Sequence, residues 1–233
     1  MLTNVTYESR RHKIARYFDK TATAAWAKLT SDAPVSYVRQ SVRNGREEVK
    51  SKILSWLPDN LANTNILDAG CGTGSFAFEA AKKGAKVTGV DISPSLIKIA
   101  RSRMSPSYPN GGTVDFYWGD MLNFGEDDFD HVVLIDSIIH YDAEEVIGLL
   151  KQVGKKCKNS MIFTFAPHNK LLGTMISIGK FFPKSDRAPS IVPMREKELF
   201  DLIEKNLSSW KISRVFRVSK GFYTSQAVEL IIE

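Results

Sequence analysis

Between Asn65 and Phe165 two kinds of pattern alternate along the chain. Short Val/Ile/Phe-rich runs, NILDAG, KVTGVD, VDFYWGD, DHVVLIDS and SMIFTFA, have the length and composition of buried strands. Between them lie GSFAFEAAKKG, SPSLIKIARSRM and DAEEVIGLLKQVGKK, where apolar residues recur at the three- and four-residue spacing of amphipathic helices. Strands alternating with helices predict an α/β domain, a parallel sheet with helices on both faces. Farther on, MREKELFDLIEKNL places Leu199, Leu202 and Ile203 on one side of a helix. It is followed by WKISRVFRVS and FYTSQAVELIIE, two strand-like runs joined at SKG, which predict an antiparallel hairpin at the sheet's edge. The five parallel strands and the hairpin together make a seven-stranded, mostly parallel sheet.

Ahead of this region the period is helical. Ile14, Phe18, Ala25 and Trp26 mark one helix from about Glu8 to Leu29. After TSDAP a second carries Val35, Val38, Val42, Val49, Ile53 and Trp56. The domain reading is therefore an N-terminal helical arm or lid over 1–58 and a catalytic-type α/β domain over 59–233. Within the latter, 168–193 reads as an insertion on the substrate side, where the apolar LLGTMISIGKFF runs into PKSDRAPSIVP. Three prolines in those last eleven positions exclude a helix interior or a central strand, because proline lacks the amide donor and restricts the residue before it.

Composition narrows the classes. At 233 residues with 43% hydrophobic and 25% charged side chains, the chain suits one globular domain with appendages. The net charge of +6 is local: residues 1–52 hold 11 Lys/Arg against 5 Asp/Glu, and the remainder holds 21 of each, so the positive field belongs to the arm. Two cysteines, Cys71 and Cys157, are too few for a disulfide framework or a tetrahedral metal cage, and no metal ligand set is expected. No apolar run reaches the roughly 20 residues that span a bilayer, and the first residues lack the apolar centre of a secretory signal. The expected location is cytoplasmic, with peripheral membrane contact open to the basic helices or to LLGTMISIGKFF.

The strongest chemical signal is ILDAGCGTGSF, a strand running into Gly70, Gly72 and Gly74 and then a helix. Such a turn lets the backbone approach a ligand at a helix N-terminus. Asp91 ends the next strand 21 residues after Gly70, where a carboxylate can accept both ribose hydroxyls of a nucleoside. The spacing is G-x-G-x-G and not the dinucleotide G-x-G-x-x-G, and Asp68 stands two residues before the first glycine. A carboxylate there repels a pyrophosphate but suits an ammonium or a sulfonium, so the site reads as one for a cationic nucleoside.

DAGCGTG, VTGVDIS, GDM and FDHVVLIDSIIHY resemble the successive motifs of class I S-adenosylmethionine (SAM)-dependent methyltransferases, over roughly residues 60–233. The resemblance implies their Rossmann-like fold and SAM as methyl donor, with S-adenosylhomocysteine as its product. It further implies that Asp68, Gly70, Cys71, Gly72 and Gly74 surround the methionine part and that Asp91 holds the ribose. By the same resemblance Ile92 packs on the adenine, Asp120 takes its exocyclic amine, and Met121 offers a backbone amide to a ring nitrogen. The arm segment YFDKTATAAWAKLTSDAPVSYVRQSVRNGRE, the phrase DSIIHY and FFPKSDRAPSIVP resemble the magnesium-protoporphyrin IX O-methyltransferase family, in its bacterial bacteriochlorophyll-synthesis branch. The cyanobacterial and plant branch tends to carry a tyrosine where this sequence has Thr30.

That resemblance implies transfer of a methyl group to a propionate of magnesium-protoporphyrin IX in (bacterio)chlorophyll biosynthesis, with a magnesium chelatase subunit as a candidate partner. A carboxylic acid of pKa about 4.3 is ionised at pH 7, so the reaction needs no strong base. Enclosure and alignment carry the acceleration. His140, after strand VVLIDSII at the carboxyl edge of the sheet, is the leading catalytic residue, orienting the propionate; the alternatives are approach to the chelated magnesium and a mere helix cap. Tyr17 is a ligand contact beside the donor, and Trp26 either faces the macrocycle or docks the arm. Tyr141 flanks the acceptor, Asp136 binds the donor's ammonium or closes the strand end, and Lys184 or Arg187 pairs with a propionate. Readings that keep the fold but change the task are a methyltransferase of another small molecule such as a quinone precursor, and a non-catalytic porphyrin carrier. An RNA methyltransferase is disfavoured by the absence of a catalytic asparagine-proline-proline-aromatic motif, with IFTFAPHN the nearest stretch.

Overall fold

The computed structural model describes residues 4–124, 128–168 and 191–233. The arm begins with α1 (Asn4–Tyr17), passes through a single π-helical turn at Phe18–Ala22 and continues as α2 (Thr23–Leu29). The one helix expected over this stretch is thus bent, because Asp19 is drawn toward the next layer while the Thr23 hydroxyl bonds back to the Phe18 and Asp19 carbonyls. The chain then alternates: α3 (Tyr37–Leu54), β1 (Asn65–Ala69), α4 (Ser75–Lys82), β2 (Lys86–Asp91), α5 (Pro94–Ser102), β3 (Thr113–Trp118), β4 (Phe129–Leu134), α6 (Ala143–Gly154) and β5 (Cys157–Phe165). It closes with α7 (Glu196–Asn206), β6 (Trp210–Lys220) and β7 (Tyr223–Ile232).

The seven strands lie in the order β3-β2-β1-β4-β5-β7-β6. Strands β1 to β5 pair in parallel, while β7 runs antiparallel to both β5 and β6, so the expected terminal hairpin forms one edge. Helix starts follow local chemistry: Ser93 accepts from the Leu96 amide with Pro94 in the first turn of α5, and Asp142 and Glu145 form a reciprocal capping box at α6.

Side-chain alternation along each strand splits the core in two. Leu67, Val132, Leu134, Phe163 and Phe165 face α6 and α7, with Tyr7 and Ile14 of α1 joining them. Ile66, Val133 and Ile162 face the opposite way, onto Val49 and Ile53 of α3 and the small residues Ala77, Ala80 and Ala81 of α4. Although α3 was counted with the arm on sequence, it packs into this second core against β6 and β7, so the part of the N-terminus lying over the sheet edge is α1 to α2. Among the described residues no helix is long and apolar enough to cross a membrane.

Both ends of the expected 168–193 insertion are anchored beside the loop after β4: the His168 amide donates to the Met194 carbonyl, and the Val192 amide to Ile139. Most of that segment, with Lys184 and Arg187, lies outside the described residues.

Candidate functional site

The glycine-rich turn lies where β1 hands over to α4. Gly70, Gly72 and Gly74 have φ of +84°, +55° and +82°, a left-handed backbone that costs other residues free energy. A Cβ on Gly70 would sit 2.3 Å from that of Ser137, and one on Gly74 would sit 2.5 Å from the Phe116 ring. Two of the three are therefore fixed by packing as well as conformation. Gly72 is the one that faces outward, with the Trp26 indole nitrogen 3.4 Å from where its Cβ would be. The Gly70 and Cys71 amides donate to the Val90 carbonyl at 2.8 and 3.1 Å, tying the turn to β2.

Above this turn opens a cleft of about 1030 Å³ whose floor includes Asp68, Cys71 and Asp91, all largely buried. Asp91 accepts from the Gly72 amide at 2.9 Å and from the Ser93 amide at 2.8 Å, so two backbone donors aim its carboxylate before any ligand arrives. Burial nevertheless pushes its pKa up to about 6. Asp68 has less support: burial, and then the Asp91 charge, push it up to about 7, and its Oδ2 has no hydrogen-bond partner. A buried carboxylate oxygen left unpaired is costly in a folded protein unless something else satisfies it. Burial, with Asp68 and Asp91 adding to it, pushes the Cys71 thiol well up, so it stays a neutral thiol. A floor with an orphaned carboxylate, a second aimed carboxylate and an exposed glycine backbone suits a nucleoside bearing a positive charge, and repels one bearing phosphates.

The roof comes from the arm. Phe18, Trp26 and Thr30 line the cleft from above, with the Phe18 and Trp26 rings edge-to-face at 5.5 Å. Four sets of polar contacts hold them there. Asp19 accepts from the Ser93 hydroxyl at 2.6 Å; the Thr73 hydroxyl donates to that of Thr30 at 2.9 Å. Arg103 donates to the Thr30 and Ala27 carbonyls, and Arg43 to those of Lys28, Leu29 and Ala33, so two arginines cap the carboxyl end of α2. At the far end of α1, the Tyr7 hydroxyl and the Arg11 guanidinium both bond Asp120, at 2.8 and 2.7 Å.

The remaining wall is the segment after β4. Asp136, at φ +52°, His140 and Tyr141 line the cleft together with Ser137. The His140 carbonyl accepts from Arg10 at 2.8 Å, and its ring stands 6.4 Å from that of Phe18. Tyr141 stacks on Tyr7 at 5.7 Å, and burial raises the pKa of its phenol. Asp136 is saturated by its own protein, accepting from Arg46, Tyr223 and Thr164.

Eleven sequence-selected residues thus share one cleft: Trp26, Asp68, Gly70, Cys71, Gly72, Asp91, Ile92, Met121, Asp136, His140 and Tyr141. Three others lie elsewhere. Tyr17 sits behind Phe18, edge-to-face at 5.3 Å, and Phe18 takes the wall position. Gly74 packs on Phe116 and Phe78. Asp120 borders a smaller polar recess, with α1 occupying both its oxygens, where an adenine amine had been expected. Sequence reasoning passed over Arg46 and Lys50, which α3 brings to the cleft one helical turn apart. Their spacing was visible, but which element that face of α3 meets was not. Among the described residues no group of three or more His, Cys, Asp or Glu is placed to hold a metal ion.

Residues 134–232 match the family model described as magnesium-protoporphyrin IX methyltransferase C-terminus, and residues 66–160 match a general methyltransferase domain. The chain is 41% identical to magnesium-protoporphyrin O-methyltransferase of Rhodobacter capsulatus, over 96% of this chain and 97% of that one. It is 27% identical to the enzyme of the same name from Synechocystis, over 92% and 93%. The crystal structure of magnesium protoporphyrin IX methyltransferase from Synechocystis with bound SAH resembles the fold at a TM-score of 0.83, with 26% identity and coverage of 95% of this chain and 99% of that one.

Proposed function

The chain belongs to the magnesium-protoporphyrin O-methyltransferase family, and we propose that it transfers a methyl group from SAM to a propionate carboxylate of magnesium-protoporphyrin IX, giving the monomethyl ester in (bacterio)chlorophyll biosynthesis. The observation that carries this reading at the level of the site is the unpartnered, buried Asp68 oxygen beside the Gly72 backbone and Asp91, under an aromatic roof. Asp68 supplies a negative charge with nothing of its own to pair with, and a cationic ligand group satisfies it.

Bound SAM would supply an electrophilic methyl group on a sulfonium. Asp68, Gly72 and Asp91 would hold the donor, with Ile92 and Met121 closing the nucleoside end of the cleft. Asp91 is already aimed by two amides, so accepting ribose hydroxyls requires no rearrangement of its side chain. Phe18 and Trp26 exclude water, which strengthens each charge interaction beneath them. The propionate arrives ionised, so His140 acts by hydrogen-bonding and orienting it, not by removing a proton. His140 is well placed for this, in the cleft wall between the arm and the anchored ends of the 168–193 segment. Lys184 or Arg187 in that segment pairs with a propionate in this reading, and a magnesium chelatase subunit and a membrane surface are candidate partners.

The decisive assay offers labelled SAM with magnesium-protoporphyrin IX, metal-free protoporphyrin and an unrelated carboxylic acid. Label in a methyl ester of the porphyrins, or of the magnesium porphyrin alone, is the expected result. Label in none of the porphyrins would reject the acceptor.

A further inference from the structure

The Asp136 carboxylate is bound by donors that come together only in the folded chain. The Tyr223 hydroxyl of β7 donates to both its oxygens, at 3.1 and 3.0 Å, and the Ser225 hydroxyl of the same strand reaches Oδ1 at 3.4 Å. Thr164 of β5 donates at 3.2 Å while its own oxygen accepts the Asp136 amide at 2.7 Å, which fixes the residue in its left-handed conformation. From the other side comes Arg46 of α3, which pairs with Oδ2. The guanidinium that makes this bond also lies over the Trp26 ring, its central carbon 4.6 Å from the ring centroid. Trp26 then faces Gly72 on one side and Phe18 on the other, and Phe18 faces His140.

We infer that Tyr223 is a positioning residue for the donor site: through Asp136 and Arg46 it holds the Trp26 indole over the glycine turn. This rests on the reading of the cleft as a SAM site. The terminal hairpin, remote in sequence from the arm, thereby sets where the arm's aromatic roof comes down. The sequence contains a second mark of the same arrangement. Gly45 sits inside α3, where glycine weakens a helix, and a Cβ there would come 2.3 Å from the Tyr223 ring. The glycine makes room for the ring whose hydroxyl reaches Asp136, one residue from the arginine that Asp136 holds. An arginine is suited to the link because its planar fork can bond a carboxylate and stack on an indole at once.

Tyr223 and Trp26 share no contact, so independent effects on ligand affinity would multiply. The test is a double-mutant cycle on the dissociation constant of S-adenosylhomocysteine, measured by calorimetry, using Tyr223→Phe and Trp26→Phe. Each single change is expected to weaken binding about fivefold, and the double variant also about fivefold instead of about 25-fold, because either change breaks the same chain. Arg46→Lys keeps a charge for Asp136 but loses the stack, and should match Trp26→Phe. Gly45→Ala, which displaces the Tyr223 ring without altering a polar group, should weaken binding in the same direction. Multiplicative effects, or a Tyr223→Phe protein with unchanged affinity, would overturn the inference while leaving the donor site in place. Failure of the unaltered protein to bind S-adenosylhomocysteine would remove the donor reading and the inference together.

Discussion

Replacing Asp68 with asparagine should make the free protein more stable while destroying its donor site. In the folded chain the Asp68 carboxyl is pushed up to about 7, chiefly by burial, from an ordinary 3.8. Between about pH 4 and 7 the folded state holds a proton that the unfolded chain has released, so the stability tied to this group is full at acid pH and is lost as pH rises through 7. A shift of about three units corresponds to about 4 kcal/mol as an upper bound, at roughly 1.4 kcal/mol per unit. For a chain of this size each kcal/mol moves the melting temperature by about 2–4 °C. Asparagine cannot ionise and keeps nearly the same shape. Calorimetric melting of Asp68→Asn should therefore give a Tm several degrees above the parent at pH 8, and a much smaller gap at pH 5. The same variant should bind SAM at least tenfold more weakly at pH 8, since the charge that met the ligand's cation is gone. In the parent, SAM affinity should rise from pH 6 to pH 8 as Asp68 ionises, and in Asp68→Asn that rise should be absent. An Asp68→Asn protein that melts below the parent at pH 8, or a gap in Tm that is the same at both pH values, would show that the carboxylate is not a strained group awaiting a cation.

Other outcomes follow from the geometry. Gly70→Ala combines a left-handed backbone with a Cβ 2.3 Å from that of Ser137, and should cost about 2–4 kcal/mol of stability, read as a reduced urea midpoint together with weakened donor binding. Arg11→Ala, which leaves Asp120 with only Tyr7 from α1, should loosen the arm: limited proteolysis within residues 7–29 should speed up severalfold, and the KM for porphyrin should rise more than kcat falls. His140→Ala should lower kcat by about 10- to 100-fold with the dissociation constant of S-adenosylhomocysteine unchanged, because its proposed partner is the acceptor; near-parental turnover would assign the residue to capping alone.

What the sequence by itself determined is the part governed by short-range periodicity and turn chemistry. Strands β1 to β5 and their helices stand where the two- and 3.6-residue periods put them, the glycine turn lies between β1 and α4, and Asp91 ends β2. These features need only neighbouring residues to be recognised: a left-handed turn demands glycine wherever it occurs, and a strand covered on both faces is apolar throughout. The terminal hairpin was legible for the same reason, from SKG between two β-rich runs. What only the tertiary structure decided is what each carboxylate in the cleft does. Asp68, Asp91, Asp120 and Asp136 are the same residue type at comparable strand ends. Asp68 is left unpartnered, Asp91 is aimed by the turn's own amides, and Asp120 is taken by Tyr7 and Arg11 from 113 and 109 residues away. Asp136 is taken by Arg46 and Tyr223, 90 and 87 residues away. The bend at Phe18–Ala22 has the same origin, since Asp19 leaves a straight helical path to meet Ser93 of another layer. A carboxylate's role depends on which donors reach it and how much water it keeps, and both are fixed by the packing of elements whose separation along the chain no local pattern encodes.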